Sequence, residues 1–247
     1  MRAEPTPIWA GAWELFRRNI SLLLAISVIE LLIEIAFGWS YDGFLTLISI
    51  VAFVTTTMIS AYVVHISALT GQRFSARDLM RGTVVPNTAF TVVFVAVGVA
   101  LALSLIGVER LFSQHGDLIA PLIALVAVFA IYFAFLCRFG TIFPAAAYDG
   151  DWSFTQAFAR GRGTAWTLCK ALLAGAVVGN LAMVFLAAKL ESFDVSIYVW
   201  LENDTFSLVG MFTAFLIYLG YKFVTVLGVI AFCNAYRSSG MNSTEAR

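Results

Sequence analysis

The chain has 247 residues, of which 61% are hydrophobic and 12% are charged, and its formal net charge is zero. Soluble globular proteins carry about twice this proportion of charged residues, so the composition excludes a soluble domain and indicates an integral membrane protein. A neutral chain also offers no basic face to phosphate backbones, which excludes a nucleic-acid-binding function.

Six hydrophobic runs are each long enough for a transmembrane helix, which needs about 20 residues. They are too long for the strands of a β-barrel and do not alternate as such strands do. The segment before them is not expected to be a cleaved signal, because no small-x-small site follows the first run. The runs cover residues 20–39, 44–69, 88–108, 118–137, 166–188 and 206–235.

The distribution of basic residues predicts the orientation of these spans. Twelve of the fifteen Lys and Arg residues lie in the N-terminal segment, the second and fourth loops and the C-terminal tail. Cytoplasmic loops are enriched in Lys and Arg, so both termini are expected in the cytoplasm of a bacterial inner membrane. Positions near Arg77 and Arg160 should then lie inside, and those near Gln114 and Glu202 outside.

A short aromatic and basic segment precedes each odd-numbered span. Ser75 with Asp78, and Ser153 with Gln156, have the spacing of a capping box. We therefore expect three repeat-like units within one domain, each an interfacial helix followed by a transmembrane hairpin. The units cover residues 1–70, 71–143 and 144–240, and their first segments read "PIWAGAWELFRRN", "RFSARDLMRG" and "DWSFTQAFARGRG".

Arginines in these segments have two interpretations. They either anchor each hairpin at the inner interface, or they bind lipid headgroups through their phosphates. Anchoring belts of this composition are common, so the first interpretation is favoured. The candidates for headgroup binding are Arg77, Arg81, Arg160 and Arg162.

Two carboxylates lie inside the first span, in the run "AISVIELLIEIAFGW". Glu30 lies roughly 17 Å into the membrane and Lys222 of the last span lies roughly 18 Å above the same surface, so the two are level. Glu34 shares a helical face with Glu30. We expect an ion pair between Glu30 and Lys222, with Glu34 protonated or facing water. Thr55, Thr56, Thr57, Asn180 and Tyr218 are further mid-span polar groups that could join one polar centre.

Two interpretations of this intramembrane polar centre compete. Ionisable residues inside a membrane usually serve transport or proton transfer. The alternative is a structural clasp that fixes which helices are neighbours. A broken helix or a midplane Gly/Pro pair would favour transport. No span shows such a pattern, which favours the clasp.

Other motifs indicate structure rather than chemistry. Gly175 and Gly179 in "GAVVG" form a small-xxx-small face for close helix packing. Asp149 and Asp151 in "DGD" are too few for a cation site and fit a turn. The three cysteines have no CxxC spacing and are expected to act as small hydrophobes. No catalytic triad, HExxH, P-loop or GxGxxG is present, so we expect no enzyme, no cofactor and no metal site.

Three stretches resemble a known family: "LFRRN", "ALTGQRFSARDLMRG" and "FPAAAYDGDWSFTQAFARGRGTAW". The chain is similar to the YciC-type uncharacterised bacterial inner-membrane proteins, which are related to the membrane domain of some glycerophosphoryl diester phosphodiesterases. The resemblance implies six spans and an inner-membrane location. It implies no activity, because the phosphodiesterase catalytic residues are not attached here.

The sequence therefore predicts an all-α integral membrane protein of six transmembrane helices with no cofactor. Its first functional hypothesis is a non-catalytic role in envelope or lipid homeostasis, with membrane lipids or a membrane protein as partner. The second is a small proton-coupled transporter or channel that uses Glu30, Glu34 and Lys222. The third is an accessory subunit of a membrane complex.

Overall fold

The structure, a computed structural model, describes residues 7–37, 43–114, 119–193, 195–200 and 205–244, and its regular elements within these ranges are helices. A five-residue π-helix, Leu173–Val177, joins α8 to α9. The helices are α1 (Ile8–Arg18), α2 (Ile20–Phe37), α3 (Gly43–Thr70), α4 (Ala76–Met80), α5 (Thr88–Gln114), α6 (Ile119–Phe139), α7 (Ile142–Tyr148), α8 (Phe154–Leu172), α9 (Val178–Ser192) and α10 (Leu208–Thr244).

Six helical segments among the described residues are long and apolar enough to cross a membrane, which confirms the predicted number of spans. Large apolar side chains remain exposed along them, for example Leu32, Val126 and Phe185. Lipid-facing helices need such a surface because acyl chains replace water around them. The segments are Ile20–Phe37, Leu45–Thr70, Thr88–Val108, Leu122–Phe139, Phe154–Ser192 and Leu208–Ser239. Trp39 and Leu118, predicted span ends, lie outside the described residues.

The chain divides into two compact units. Unit 1 comprises Met1–Pro86 and Ala171–Ala231, and unit 2 comprises Asn87–Lys170 and Phe232–Arg247. In unit 1, α2 packs against α3 and α4; in unit 2, α5 packs against α6 and α7. The three repeat-like units stay a prediction.

Helices occupy all three segments for which interfacial helices are predicted, but only two of these helices are separate elements. α1 ends at Arg18, directly before its C-cap Asn19, and α4 is a single short turn of helix. The third begins at Phe154 and continues without interruption into the span. The prediction of a separate third helix is therefore wrong. At Gly161 the lack of a side chain lets α8 run directly against the Arg138 carbonyl of α6.

The predicted capping box at α4 is present, whereas the one at α8 is present in part. At α4, the Asp78 carboxylate accepts hydrogen bonds from the Ser75 N–H (2.8 Å) and hydroxyl (2.7 Å). Both bonds hold the pKa of Asp78 below its usual value, the hydroxyl bond most, with the Arg81 and Arg77 charges adding to the effect. At α8, Ser153 Oγ accepts the Gln156 N–H, but Asp151 rather than Gln156 accepts the Ser153 N–H.

Candidate functional site

The candidate site lies in unit 1, where α2 and α3 run antiparallel with polar side chains along their shared face. Asn19 bonds Ser67 near one end of α2, and Glu30 bonds Thr56 three turns further along. Each step forward along α2 is therefore a step back along α3. Ser27 lies on the same face of α2 as Glu30, and it is fully buried. An otherwise apolar interface thus contains a column of polar groups.

Glu30 and Lys222 form the ion pair that their matching depths predict. Lys222 Nζ donates to Glu30 Oε1 at 2.5 Å, and the two side chains are only 6% and 2% exposed. The Thr56 hydroxyl donates to the same oxygen at 3.0 Å. The pair joins α2 to α10, with α3 supplying the third partner. Removing two charges from water is unfavourable unless they are paired and hydrogen-bonded, and both conditions are met here.

Glu34 forms a second polar contact one turn further along α2. Its carboxylate accepts the Tyr218 hydroxyl at 2.5 Å and lies 3.5 Å from the Val199 N–H. Tyr218 and Lys222 are one turn apart on α10, just as Glu34 and Glu30 are on α2. The two helices therefore meet through two consecutive polar pairs. Glu34 is half-buried and has protein partners, whereas the sequence left it protonated or facing water.

Asn180 does not join this polar centre. Its side chain is exposed, and its amide donates to the Ala176 carbonyl of its own helix at 2.8 Å. Thr55 is also exposed and bonds the Val51 carbonyl. Sequence reasoning identified these residues as mid-span polar groups but could not assign the face of the helix, because their spans are apolar all round.

Aromatic packing fixes the segment of α10 that carries Lys222. The ring of Phe223 lies 5.4 Å from Phe16 and 6.0 Å from Trp9, measured between ring centroids. Trp13 also contacts Phe223, at 6.2 Å. α1 therefore holds α10 from the side through rings, while α2 holds it through charge. Aromatic pairs at these separations add about 0.5–1.5 kcal/mol each beyond area burial.

Glycines let α9 approach α10 closely, as the small-xxx-small spacing predicts. A Cβ atom at Gly179 would lie 3.1 Å from Val224 Cγ2 and 3.2 Å from Leu227 Cδ1. A Cβ at Gly175 would lie 2.9 Å from Ile8 Cδ1, so this glycine faces α1 as well. Small residues at such contacts bring helix backbones together in membranes.

The π-helix interrupts the fifth span, where the sequence predicts no break. Ala174 within it accepts a hydrogen bond from the Trp9 indole N–H at 3.0 Å, which links α1 to the π-helix. A π-helix leaves backbone carbonyls without their usual partner and is common at functional sites. No proline marks this segment, so neither propensity nor spacing could have revealed it.

Asn19 is a structural residue that sequence reasoning used only as a boundary. Its amide donates to Leu15 O at 3.0 Å and to Ser67 Oγ at 2.8 Å, and its oxygen accepts the Phe74 N–H at 3.0 Å. One buried side chain thus ties α1, α3 and the segment before α4 together. The signal for it was the position of an asparagine directly before an apolar run, at the end of "LFRRN".

The four arginines proposed for headgroup binding lie in different environments. Arg77 and Arg81 of unit 1 are exposed. Arg162 of unit 2 is exposed and lies 5.9 Å from the Phe158 ring centroid. Arg160 of unit 2 instead pairs with Asp151 at 3.1 Å, so its charge is already compensated within the protein.

The "DGD" turn of unit 2 is a structural turn. Asp149 accepts the Tyr236 hydroxyl of α10, and Asp151 holds Arg160. Gly150 between them has a φ of 70°, a left-handed conformation that a glycine adopts without strain. Both carboxylates have partners, and the described residues contain no group of acidic, His and Cys side chains that could hold a metal ion.

Comparisons of the chain with family models, with curated proteins and with solved structures give no match.

Proposed function

We propose that the protein is a non-catalytic, multi-pass protein of a bacterial inner membrane, with both termini in the cytoplasm. It serves envelope or lipid homeostasis through contacts with membrane lipids. Membership of the YciC-type family is part of this proposal, because the six spans that the resemblance implies agree with the six apolar helical segments. The polar centre acts as a clasp that holds α2, α3 and α10 together.

The burial and pairing of Glu30 and Lys222 carry the proposal. Both side chains are almost fully enclosed, and each neutralises the other at 2.5 Å. An ionisable group that carries protons or solutes has to exchange with water on each side of the membrane. A pair that is enclosed and already satisfied is better suited to fix helix positions.

Exposed arginine and aromatic side chains support the lipid part of the proposal. Trp13, Trp152 and Trp166 are all more than half exposed, and each lies in or beside a segment rich in arginine. Trp favours the headgroup level of a bilayer, and arginine binds lipid phosphates. These segments precede the first and fifth spans, on the side that the basic residues assign to the cytoplasm.

Lipid analysis of cells tests the proposed role. A strain that lacks the gene should differ from its parent in phospholipid composition or envelope permeability, and a plasmid copy should restore the parental state. A plasmid that encodes the double variant Glu30→Gln with Lys222→Met should also restore it, because a clasp can be replaced by apolar packing. Unchanged lipids and unchanged permeability in the deletion strain would contradict the role.

A proton-coupled transporter is the second candidate, and two observations favour it. Glu34 is half-buried rather than enclosed, and the fifth span contains the π-helix. In proteoliposomes with an internal pH dye, this candidate requires a proton flux above that of empty vesicles. The flux should disappear in Glu34→Gln and persist in the control Asn180→Ala.

A further inference from the structure

Unit 2 contains an open apolar groove between α5 and α6, closed at one end by α8. Its volume is about 360 Å³, within the range of about 300–1,000 Å³ for small-molecule sites. Val97, Leu101, Val128 and Ile131 are among the apolar side chains that form its walls, and Phe135 and Phe154 form its end. Between Val128 and Phe135 it extends about 10 Å along α6 at 1.5 Å per residue.

One polar group in this groove has no partner in the part of the chain that the structure describes. Tyr132 lies on the groove wall, and its hydroxyl makes no hydrogen bond to any described residue. Ser104, the other hydroxyl there, is bonded to the Ala100 carbonyl of its own helix at 2.8 Å. A tyrosine hydroxyl in apolar surroundings needs an acceptor, and the ester carbonyl of a lipid is one.

Aromatic rings connect the closed end of the groove to two cationic side chains. Phe154 contacts Phe139 at 6.1 Å, and Phe139 contacts Phe158 at 5.7 Å, between ring centroids. The guanidinium carbon of Arg138 lies 4.0 Å from the Phe158 centroid, and that of Arg162 lies 5.9 Å from it. Neither arginine has an ion-pair partner among the described residues. Two guanidinium groups therefore flank one ring beside the end of the groove.

This arrangement is complementary to a phospholipid. An acyl chain is the apolar body that would fill the groove inside a membrane, and the two arginines would bind an anionic phosphate with planar, multiple donors. Tyr132 lies six residues before Arg138 on α6, about 9 Å away along the helix axis, on the side of Arg138 where the acyl chain would lie.

We infer that the α5–α6 groove of unit 2 is a binding site for one anionic phospholipid. Its acyl chain lies against α5 and α6, and Arg138 and Arg162 bind its phosphate. This deepens the proposed lipid function by naming the site and the class of ligand. It also separates Arg162 from Arg160, because only Arg162 has a guanidinium free of an acidic partner within the described residues.

Native mass spectrometry of the full-length protein tests the site. The protein is released from nanodiscs of phosphatidylglycerol and phosphatidylcholine, and the retained lipid is counted. The wild type should retain one phosphatidylglycerol. The double variant Arg138→Gln with Arg162→Gln should lower the affinity for phosphatidylglycerol about thirtyfold. Each cation near an anionic lipid contributes about 1 kcal/mol, and the loss of two corresponds to about thirtyfold. The double lysine variant should retain an intermediate amount.

Variants matched in size and charge serve as controls. Ala100→Trp fills the groove and should abolish retention, whereas Ala102→Trp, which is exposed on the same helix but does not line the groove, should not. Lys170→Gln with Lys189→Gln removes the same charge from two exposed positions outside the groove and should leave retention unchanged. Retention that is equal in all variants would overturn the inference.

Two further results would also overturn it. A dimer that Ala100→Trp dissociates would assign the groove to a second copy of the chain. Full competition by inorganic phosphate, with no dependence on the Trp substitution, would assign the arginines to a free anion. Because retention is measured on the isolated protein, a negative result removes this site, while the cellular role is judged from the lipid composition of the deletion strain.

Discussion

Glu30 and Lys222 stabilise each other only while both are present. Lys222→Met would leave the Glu30 carboxylate enclosed without a counter-charge, which costs about 3–5 kcal/mol in buried pairs. We therefore expect a sharp loss of stability in detergent, measured by thermal or SDS-induced unfolding of the purified protein. The same assay on Glu30→Gln with Lys222→Met should recover most of the loss.

The double variant separates the two functional hypotheses. If the pair is a clasp, the double variant should be folded and functional. If the pair transports protons, it should be folded and inactive. A double variant less stable than Lys222→Met alone would contradict the pairing energetics.

Asn19 contributes three side-chain hydrogen bonds in a fully buried position. Asn19→Ala leaves the Phe74 N–H without its acceptor and the Ser67 hydroxyl without its donor, so we expect a loss of about 2–4 kcal/mol. Asn180→Ala is the matched control, since that amide is exposed and bonds only its own helix. Its effect on the unfolding transition should stay within about 0.5 kcal/mol. Equal effects of the two substitutions would show that Asn19 is not a junction.

The close packing of α9 against α10 depends on the glycine at position 179. Leucine at Gly179 would overlap Val224 and Leu227, and overpacking of this kind costs about 1–3 kcal/mol. Gly98→Leu on α5 is the control, because no atom lies within 4 Å of the position that its Cβ would take. We expect Gly179→Leu to lower the unfolding temperature and Gly98→Leu to leave it unchanged or raised. If Gly98→Leu lowered the unfolding temperature and Gly179→Leu did not, the close contact between α9 and α10 at Gly179 would be contradicted.

The capping contact of α4 should depend on pH. Because the folded pKa of Asp78 is lowered, the cap contributes stability above the unfolded pKa of about 3.9 and loses it as the pH falls through the lower folded value. The protection factor of the Ser75 amide, its exchange rate relative to the unprotected rate at the same pH, should therefore stay high at pH 5 and fall only in more acidic buffer. In Asp78→Asn that pH dependence should vanish, and a wild-type transition above pH 4 would contradict the prediction.

Topology is the prediction for the whole molecule. In a variant without the three native cysteines, single cysteines introduced at Arg77 and Arg162 should react with an impermeant maleimide only after the cytoplasmic side is opened. A cysteine at Ser196 should react in intact spheroplasts. Labelling of the cysteine at position 162 in intact spheroplasts would contradict the orientation that the basic residues predict.

The sequence by itself determined the class of the protein and its spans. An apolar run of about 20 residues must be helical in a bilayer, because every backbone group has to be bonded within the segment. The run therefore predicts the helix before any tertiary contact is known. The sequence also predicts that Glu30 and Lys222 lie at the same depth, since the rise per residue of a helix converts residue number into depth.

Tertiary packing decided which faces of these helices meet. Apolar helices have almost no amphipathic signal, so the sequence could not place Thr56 inside the polar centre and Asn180 outside it. The junction at Asn19 could not be predicted for the same reason, because it depends on a contact distant in the sequence. The π-helix at Leu173–Val177, which accepts the Trp9 indole N–H, has no signal in the sequence either. Hydrophobicity fixes how deep a residue lies, whereas its angular position depends on the shapes of the neighbouring helices.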